Sequence, residues 1–342
     1  MPTPTVSALG ERALIARIRA RLPAPPWLVV GAGDDAAVFT PVRGTCDVVT
    51  VDAQVEGVHF DRRFVPPRAI GHRALAVNLS DLAAMGALPR AALLSLMLPP
   101  DLELDTFDGI LDGLLDHAAT HQVALVGGNI TSTSGPLVLD VTALGSVRAR
   151  RVLSRSGARP GDVVYVTGSL GAAAIGLDLL RRQTGHDRAV PATFAATAAA
   201  VAQERYLHPS PRVRAGLLLS RNRAASSCMD LSDGLADGLR QIADASVVGM
   251  RIEAEALPTD TAVQAWHQAS GGDPLATVLS GGDDYELLFT CRPSQHGRLR
   301  HVRRQIGDLA VTRIGVVTNG RGVVIAGAAG EVSLPPGFEH FR

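Results

Sequence analysis

Short apolar runs alternate with longer stretches of helical spacing along most of this 342-residue chain, and that alternation constrains the fold more than any other feature. Residues 9–21 carry apolar positions at helical spacing and stop at a proline-rich breaker over 23–26. A short apolar run covers 48–51. Pro66 and Pro67 then open a helical stretch over 69–85, closed by Gly86. The spacing predicts a strand over 91–98, a helix over 105–121, and strands over 123–126 and 137–147. Beyond a turn-rich segment at 156–162 a second series begins: a strand over 163–166, helices over 172–182, 195–203 and 233–244, and strands over 286–290, 313–317 and 323–326. This is the pattern of an α/β (α+β) protein with two mixed domains, residues 1–150 and 151–342.

Hydrophobic residues make up 46% of the chain, enough for two cores. Basic and acidic residues cancel, 33 against 33, so no global field favours nucleic acid. Lysine is absent from the sequence. That excludes a Walker-A lysine, a Schiff base and a lysine general base. A phosphate clamp must therefore use arginine, backbone N–H groups or metal ions. Cys46, Cys228 and Cys291 stand far apart, without metal-ligand spacing, and read as buried free thiols of a reducing compartment. The start Met1-Pro2-Thr3-Pro4 lacks the pattern of a signal peptide, and no apolar run reaches about 18 residues. The expected location is the cytoplasm, with no membrane partner.

The chemistry is carried by aspartates placed in turns or at strand ends. Asp34 and Asp35 follow Gly33, Asp52 ends the run 48–51, and Asp81 shares a helix face with Asn78 three residues earlier. Asp230 and Asp233 lie in Asp230-Leu231-Ser232-Asp233-Gly234, and Asp283 and Asp284 follow Gly281-Gly282. Small neighbours allow backbone to approach a ligand closely. Carboxylates repel phosphate, so if these groups converge on a nucleotide, cations must lie between them. Oxygen ligands without paired His or Cys favour Mg²⁺ over zinc. Taken singly, each cluster fits an ordinary turn equally well, and Asp233 fits a helix cap. Gly168-Ser169-Leu170-Gly171 before a helix fits either a phosphate seat or a plain strand-to-helix turn.

The longer contexts remove that ambiguity. Gly33-Asp34-Asp35-Ala36-Ala37-Val38, Val55-Glu56-Gly57-Val58-His59-Phe60 and Asn78-Leu79-Ser80-Asp81-Leu82-Ala83-Ala84-Met85-Gly86-Ala87 occur in order. They are followed by Arg155-Ser156-Gly157-Ala158, Thr167-Gly168-Ser169-Leu170-Gly171, the run from Asp230 to Gly234, the run from Gly281 to Phe289, and Gly337-Phe338-Glu339-His340-Phe341. This ordered set resembles the thiamine-monophosphate kinase family, of the aminoimidazole ribonucleotide synthetase-like superfamily. The resemblance implies two α/β domains and a homodimer built through the N-terminal ones. It also implies transfer from ATP to thiamine monophosphate with several Mg²⁺ ions. It implies metal ligation at Asp34, Thr50, Val51 (through its carbonyl), Asp52, Asp81, Asn129, Asp230 and Asp233, the five aspartates being the catalytic metal holders. It implies ATP contacts at Gly128, Asn129, Arg155 and Ser232, and thiamine phosphate contacts at His59, Asp283 and Phe338. On residue type alone, His59 also fits a core histidine, Arg155 a surface ion pair and Phe338 C-terminal packing.

Nearby alternatives fit less well. A selenophosphate synthetase usually has a reactive Cys or selenocysteine and a Lys near its N-terminus, and this chain has neither. A hydrogenase-maturation relative ends in a reactive Cys, whereas here the end is His340-Phe341-Arg342. An aminoimidazole ribonucleotide synthetase, or a nucleotide-binding regulator without turnover, differs from the kinase reading by its products. Two positions depart from the family pattern: Asn129 stands where Asp is frequent, and Asp283 where Glu is common. Asn129→Asp restores a carboxylate and is expected to lower the Mg²⁺ concentration needed for half-maximal activity. An unchanged Mg²⁺ titration shows that this position does not ligate metal.

Overall fold

The structure is a computed structural model describing residues 4–184, 190–328 and 330–335. It divides into two compact units. One comprises Met1–Leu82 with Leu88–Arg148, the other Ala149–Arg342 together with Ala83–Ala87.

The first unit begins with α1 (Val6–Leu9) and α2 (Glu11–Arg19), followed by the two-stranded ribbon β1 (Leu28–Val30) and β2 (Val38–Phe39). Then come β3 (Cys46–Val55), α3 (Pro67–Ala84), β4 (Leu88–Leu98), α4 (Leu104–Thr120), β5 (Ala124–Ser132) and β6 (Val138–Val147). The main sheet has the order β3-β6-β4-β5. β6 is antiparallel to both β3 and β4, while β4 is parallel to β5. Along β4 buried and half-buried residues alternate, so one face of the sheet is covered and the other partly open. α3 is buried on nearly all sides from Ala69 to Ala84, its polar Arg73, Asn78 and Ser80 included, with only His72 and Asp81 half-buried. Its approach to α4 depends on two glycines. A Cβ on Gly71 would lie 1.8 Å from the Ile110 carbonyl oxygen, and one on Gly113 1.9 Å from that of Arg68.

The second unit contains β7 (Val163–Thr167), α5 (Ala172–Gln183), α6 (Ala196–Leu207), α7 (Val213–Asn222), β8 (Ser227–Asp230), α8 (Leu235–Ser246) and β9 (Gly249–Glu253). It continues through α9 (Thr261–Ser270), α10 (Pro274–Ser280), β10 (Leu287–Cys291), α11 (His296–Gln305), β11 (Val311–Thr318), β12 (Gly322–Gly327) and β13 (Gly330–Ser333). Seven strands form one mixed sheet in the order β13-β12-β9-β11-β7-β10-β8. Leu235, Leu239 and Ile242 of α8 join Val164, Val166, Met250 and Leu288 of the sheet in its main core. A second cluster, including Leu179, Phe194 and Trp266, joins α5 and α9.

The predicted helices and strands recur with shifted ends, and α1, α7, α9, α10, α11, β1, β2, β8, β9 and β13 are additional. The cysteine expectation needs correction: all three are free, but Cys46 is exposed because it starts the edge strand β3. Among the described residues no helix is long and apolar enough to cross a membrane.

One buried charge organises the second unit. Glu286, fully buried, accepts from Arg205 Nη2 at 3.0 Å, from Arg212 Nε at 2.7 Å and from Thr167 Oγ1 at 2.6 Å. Removing a partner from such a pair leaves uncompensated charge in low dielectric. Glu286→Gln should therefore cost about 3–5 kcal/mol, read as a lower urea midpoint.

Candidate active site

In the first unit the β3–α3 pairing positions the acidic groups. The Thr50 hydroxyl donates to the Asp81 carboxylate, joining the middle of β3 to the last turns of α3. Thr50 and Asp52 are two residues apart on one strand and share a face; Val51, between them, points to the opposite face and is 59% exposed. Asp34 sits in the exposed loop before β2, where its Oδ1 accepts from the Asp35 N–H at 2.9 Å. Gly33 has φ 122°, and a Cβ there would collide with the Arg19 guanidinium.

Asn129 and Gly128 lie on β5, just past a bulge in its pairing with β4. A Cβ on Gly128 would stand 1.9 Å from the Leu94 carbonyl oxygen, so this strand pair can close only with glycine. Asp34, Gly128 and Asn129 line one cavity of about 710 Å³. Ser95 and Asp140 line it too. They face it because β4 and β6 alternate, and the register pairs Ser95 with both Asn129 and Asp140. Thr50, Asp52, His59 and Asp81 do not border that cavity.

His59 lies within a tight turn in which the Gly57 N–H bonds the Phe60 carbonyl at 2.8 Å. Its Nδ1 accepts from the Val55 N–H at 3.0 Å. The neutral ring therefore carries its proton on Nε2, as a donor.

In the second unit two loops run side by side. The Asp283 N–H bonds the Ser232 carbonyl at 2.8 Å, and the Tyr285 N–H bonds that of Leu231 at 2.9 Å. These bonds bring Asp283 next to the segment holding Asp230, Ser232 and Asp233. Asp230 is buried at the end of β8, Ser232 is exposed, and Gly234 rather than Asp233 occupies the cap position of α8. Asp283 and Tyr285 both adopt positive φ, 66° and 50°, and the Tyr285 hydroxyl donates to Asp283 Oδ1 at 2.8 Å. Left-handed backbone at two non-glycine residues stores strain, a common mark of a ligand site. The exposed Arg155 is held from behind: Ser246 Oγ donates to its carbonyl and accepts from the Gly157 and Ala158 N–H groups, each at 3.2 Å. Phe338 lies outside the described residues.

The Gly168-Ser169-Leu170-Gly171 turn is structural. The N–H groups of Gly168 and Leu170 bond the carbonyls of Ala310 and Pro258, and that of Gly171 bonds both carboxylate oxygens of Asp284. Three of the turn's four amides are thus committed to protein acceptors. Sequence reasoning missed Asp284 as this anchor, Tyr285 as the holder of Asp283, and Ser95 and Asp140 as cavity residues. Only the strand alternation around 95 and 140 signalled any of these in advance.

Among the described residues no three His, Cys, Asp or Glu side chains stand close enough to hold a metal ion by themselves. Each unit instead offers a partial set of hard oxygens. In the first, Thr50 bonds Asp81 and shares a strand face with Asp52, and Asn78, fully buried one helical turn before Asp81, has an Oδ1 without a hydrogen-bond partner. Carboxylate, hydroxyl and amide oxygens, one of them buried and unmet, suit Mg²⁺.

Residues 33–147 match the family described as AIR synthase related protein, N-terminal domain, and residues 159–327 match the corresponding C-terminal domain. Fold and site thus define an AIR synthase-related protein. The thiamine-monophosphate kinase of Synechococcus elongatus is 38% identical, with 98% of each chain covered, and that of Bacillus subtilis is 33% identical over 92% of this chain and 94% of the relative. The chain belongs to the thiamine-monophosphate kinase family. The solved structure of the Stenotrophomonas maltophilia enzyme superposes with TM-score 0.79 at 39% identity, covering 91% of this chain and 95% of that one. AaThiL complexed with AMPPCP and TMP superposes with TM-score 0.76 at 31% identity over the whole of both chains. A hydrogenase maturation protein in complex with ATP, at 22% identity and TM-score 0.75, shares the fold.

The buried Asp284 gives a test of the described geometry. Burial, the largest cause, pushes its carboxyl up to about 8 from the usual 3.8, against the opposing Gly171 hydrogen bonds. Between those two values the folded chain holds a proton that the unfolded chain has lost. Its contribution to stability therefore declines as pH rises through that window. Asp284→Asn, which keeps an acceptor for Gly171, should gain in Tm relative to the parent between pH 4 and pH 9. A pH-independent Tm difference contradicts the assigned burial.

Proposed function

We propose that this chain transfers the γ-phosphoryl group of ATP directly to the phosphate of thiamine monophosphate, giving thiamine diphosphate and ADP. The observation that carries the reading is full-length similarity to thiamine-monophosphate kinases, 33% and 38% identical over nine-tenths or more of both chains. A bond forms between a phosphate oxygen of the acceptor and the γ-phosphorus as the bond from that phosphorus to the β-bridging oxygen breaks. The attacking oxygen is ionised at neutral pH, so no strong general base is needed. The difficulty is repulsion between two anions.

Bound Mg²⁺ would supply charge neutralisation between them. Asp34, Thr50, Asp52, Asp81, Asn129 and the Val51 carbonyl in one unit, and Asp230 and Asp233 in the other, are the proposed holders. Arg155 and Ser232, with the Gly128-Asn129 backbone, orient ATP. His59 offers its Nε2–H to the acceptor phosphate, and the strained loop presents Asp283 to the cationic end of thiamine. Phe338 completes the acceptor contacts in this proposal.

A homodimer in the cytoplasm belongs to the same proposal. The edge strand β3 leaves Val49 and Val51 61% and 59% exposed on the face that carries half-buried Leu93 and Leu144, an apolar stripe suited to a second copy. Three free cysteines suit a reducing compartment.

Incubation with ATP, Mg²⁺ and either thiamine, thiamine monophosphate or formylglycinamidine ribonucleotide decides the activity. Thiamine diphosphate should form from the monophosphate alone. Asp81→Ala should lower kcat by at least about 100-fold, the scale set by loss of one preorganised electrostatic group, with little loss of fold. Near-normal turnover in that variant removes the metal assignment.

A further inference from the structure

The loop that carries Asp34 hangs from a ribbon with little structure of its own. β1 and β2 are three and two residues long, pair with each other, and form no part of the four-stranded sheet. A lone two-stranded hairpin is marginal in water, so the ribbon takes its position from what it packs against. Trp27, Leu28 and Ala37 supply part of that by resting on the buried Ala91, Ala124 and Val126. A second fastening is charged.

Arg90 is the extra residue of a bulge in β4, where the pairing with β6 shifts register between Pro89 and Ala91. A bulge re-aims a side chain out of the alternation of its strand. Here the guanidinium carbon lies 4.4 Å from the centre of the Trp27 ring and 5.5 Å from that of Phe39. Both are within the reach of a cation–π contact, about 6 Å. The two rings meet edge to face, with centroids 6.0 Å apart and planes at 84°. Trp27 stands just before β1 and Phe39 on β2, and the Thr40 N–H bonds the Trp27 carbonyl at 2.9 Å. Arg90 therefore grips both legs of the ribbon at its base. Among the described residues no ion pair competes for its guanidinium.

The far end of the ribbon is tied separately. A bridge joins Ala32 to Asp34, and Gly33 lies directly against the Arg19 guanidinium of α2. Asp34 itself is exposed. A carboxylate on an exposed loop keeps the placement that a ligand needs, about 0.5 Å, only when base and tip are both fixed.

We infer that Arg90 is a positioning residue for Asp34: through Trp27 and Phe39 it fixes the β1–β2 ribbon, and with it the place from which the Asp34 carboxylate meets a divalent cation. The inference rests on the metal reading proposed above. It gives Arg90 a part in that reading that needs no contact with the cation.

The test is the Mg²⁺ concentration for half-maximal binding of a non-hydrolysable ATP analogue to the full chain, followed by calorimetry so that no turnover is needed, with the metal-free Tm read beside it. Arg90→Met keeps the apolar stem and removes the cation. It should raise that concentration about 10-fold or more, the scale for groups that support metal ligands. Arg90→Gln repeats the measurement with a polar side chain, for the case in which Met disturbs the bulge. Trp27→Leu should have the same effect, and Arg90→Met combined with Trp27→Leu should match either single variant, because both break one link. A lower metal-free Tm with the parental Mg²⁺ requirement in the Arg90 variants leaves Arg90 a packing residue and overturns the inference. Losses that multiply in the double variant overturn it too. Asp34→Ala separates this from the underlying reading. If it leaves the Mg²⁺ requirement unchanged, the metal reading fails at Asp34; if it raises the requirement while the Arg90 variants stay parental, only the role of Arg90 fails.

Discussion

The second unit depends on neutralising one carboxylate. Glu286 is completely buried, and an isolated charge there would cost several kcal/mol. Arg205 from α6, Arg212 just before α7 and the Thr167 hydroxyl from β7 meet it together. These contacts tie three separate segments to the start of β10. A Cβ on Gly168 would stand 2.0 Å from Glu286 Oε1, so the turn after β7 must be glycine for the pair to form. With Glu286 fixed, the preceding residues have little freedom. Asp284 is drawn onto the Gly171 N–H, and the Asp283–Tyr285 loop is held in left-handed backbone beside Ser232.

The first unit reaches comparable order by close backbone packing. Gly71 and Gly113 let α3 and α4 touch, and Gly128 lets β5 close on β4. Buried on nearly all sides, α3 holds Asp81 against Thr50 of β3. The polar contact between Thr50 and Asp81 is then placed by close backbone packing and not by a polar network of its own.

Much of this was legible in advance, for identifiable reasons. α3 is bracketed by Pro67 and Gly86, and its sequence span was read nearly to the residue. β5 was read only to Val126, because consecutive glycines argue against a strand; the structure continues through them, since the approach of Leu94 requires glycine there. α9 and α10 were missed although Asp260 and Asp273 cap them, accepting from Ala262 and Leu275 at 2.9 Å each. Those signals were present, but the helices are short, ten and seven residues. β8 and β9, at four and five residues, are too brief to tell from buried loop by periodicity.

The sequence by itself determined the chemistry: lysine-free phosphate handling, oxygen-rich aspartate motifs, their order and hence the family. Residue type and spacing suffice for that, because motif order is a one-dimensional property. Only the tertiary structure decided which groups are committed and which are available. It turned the 168–171 glycine turn into an anchor for Asp284, set the tautomer of His59 through Val55, and left the oxygen of Asn78 buried without a hydrogen-bond partner. These depend on partners distant in sequence, and hydrogen bonding across such distances is settled by how helices and strands meet.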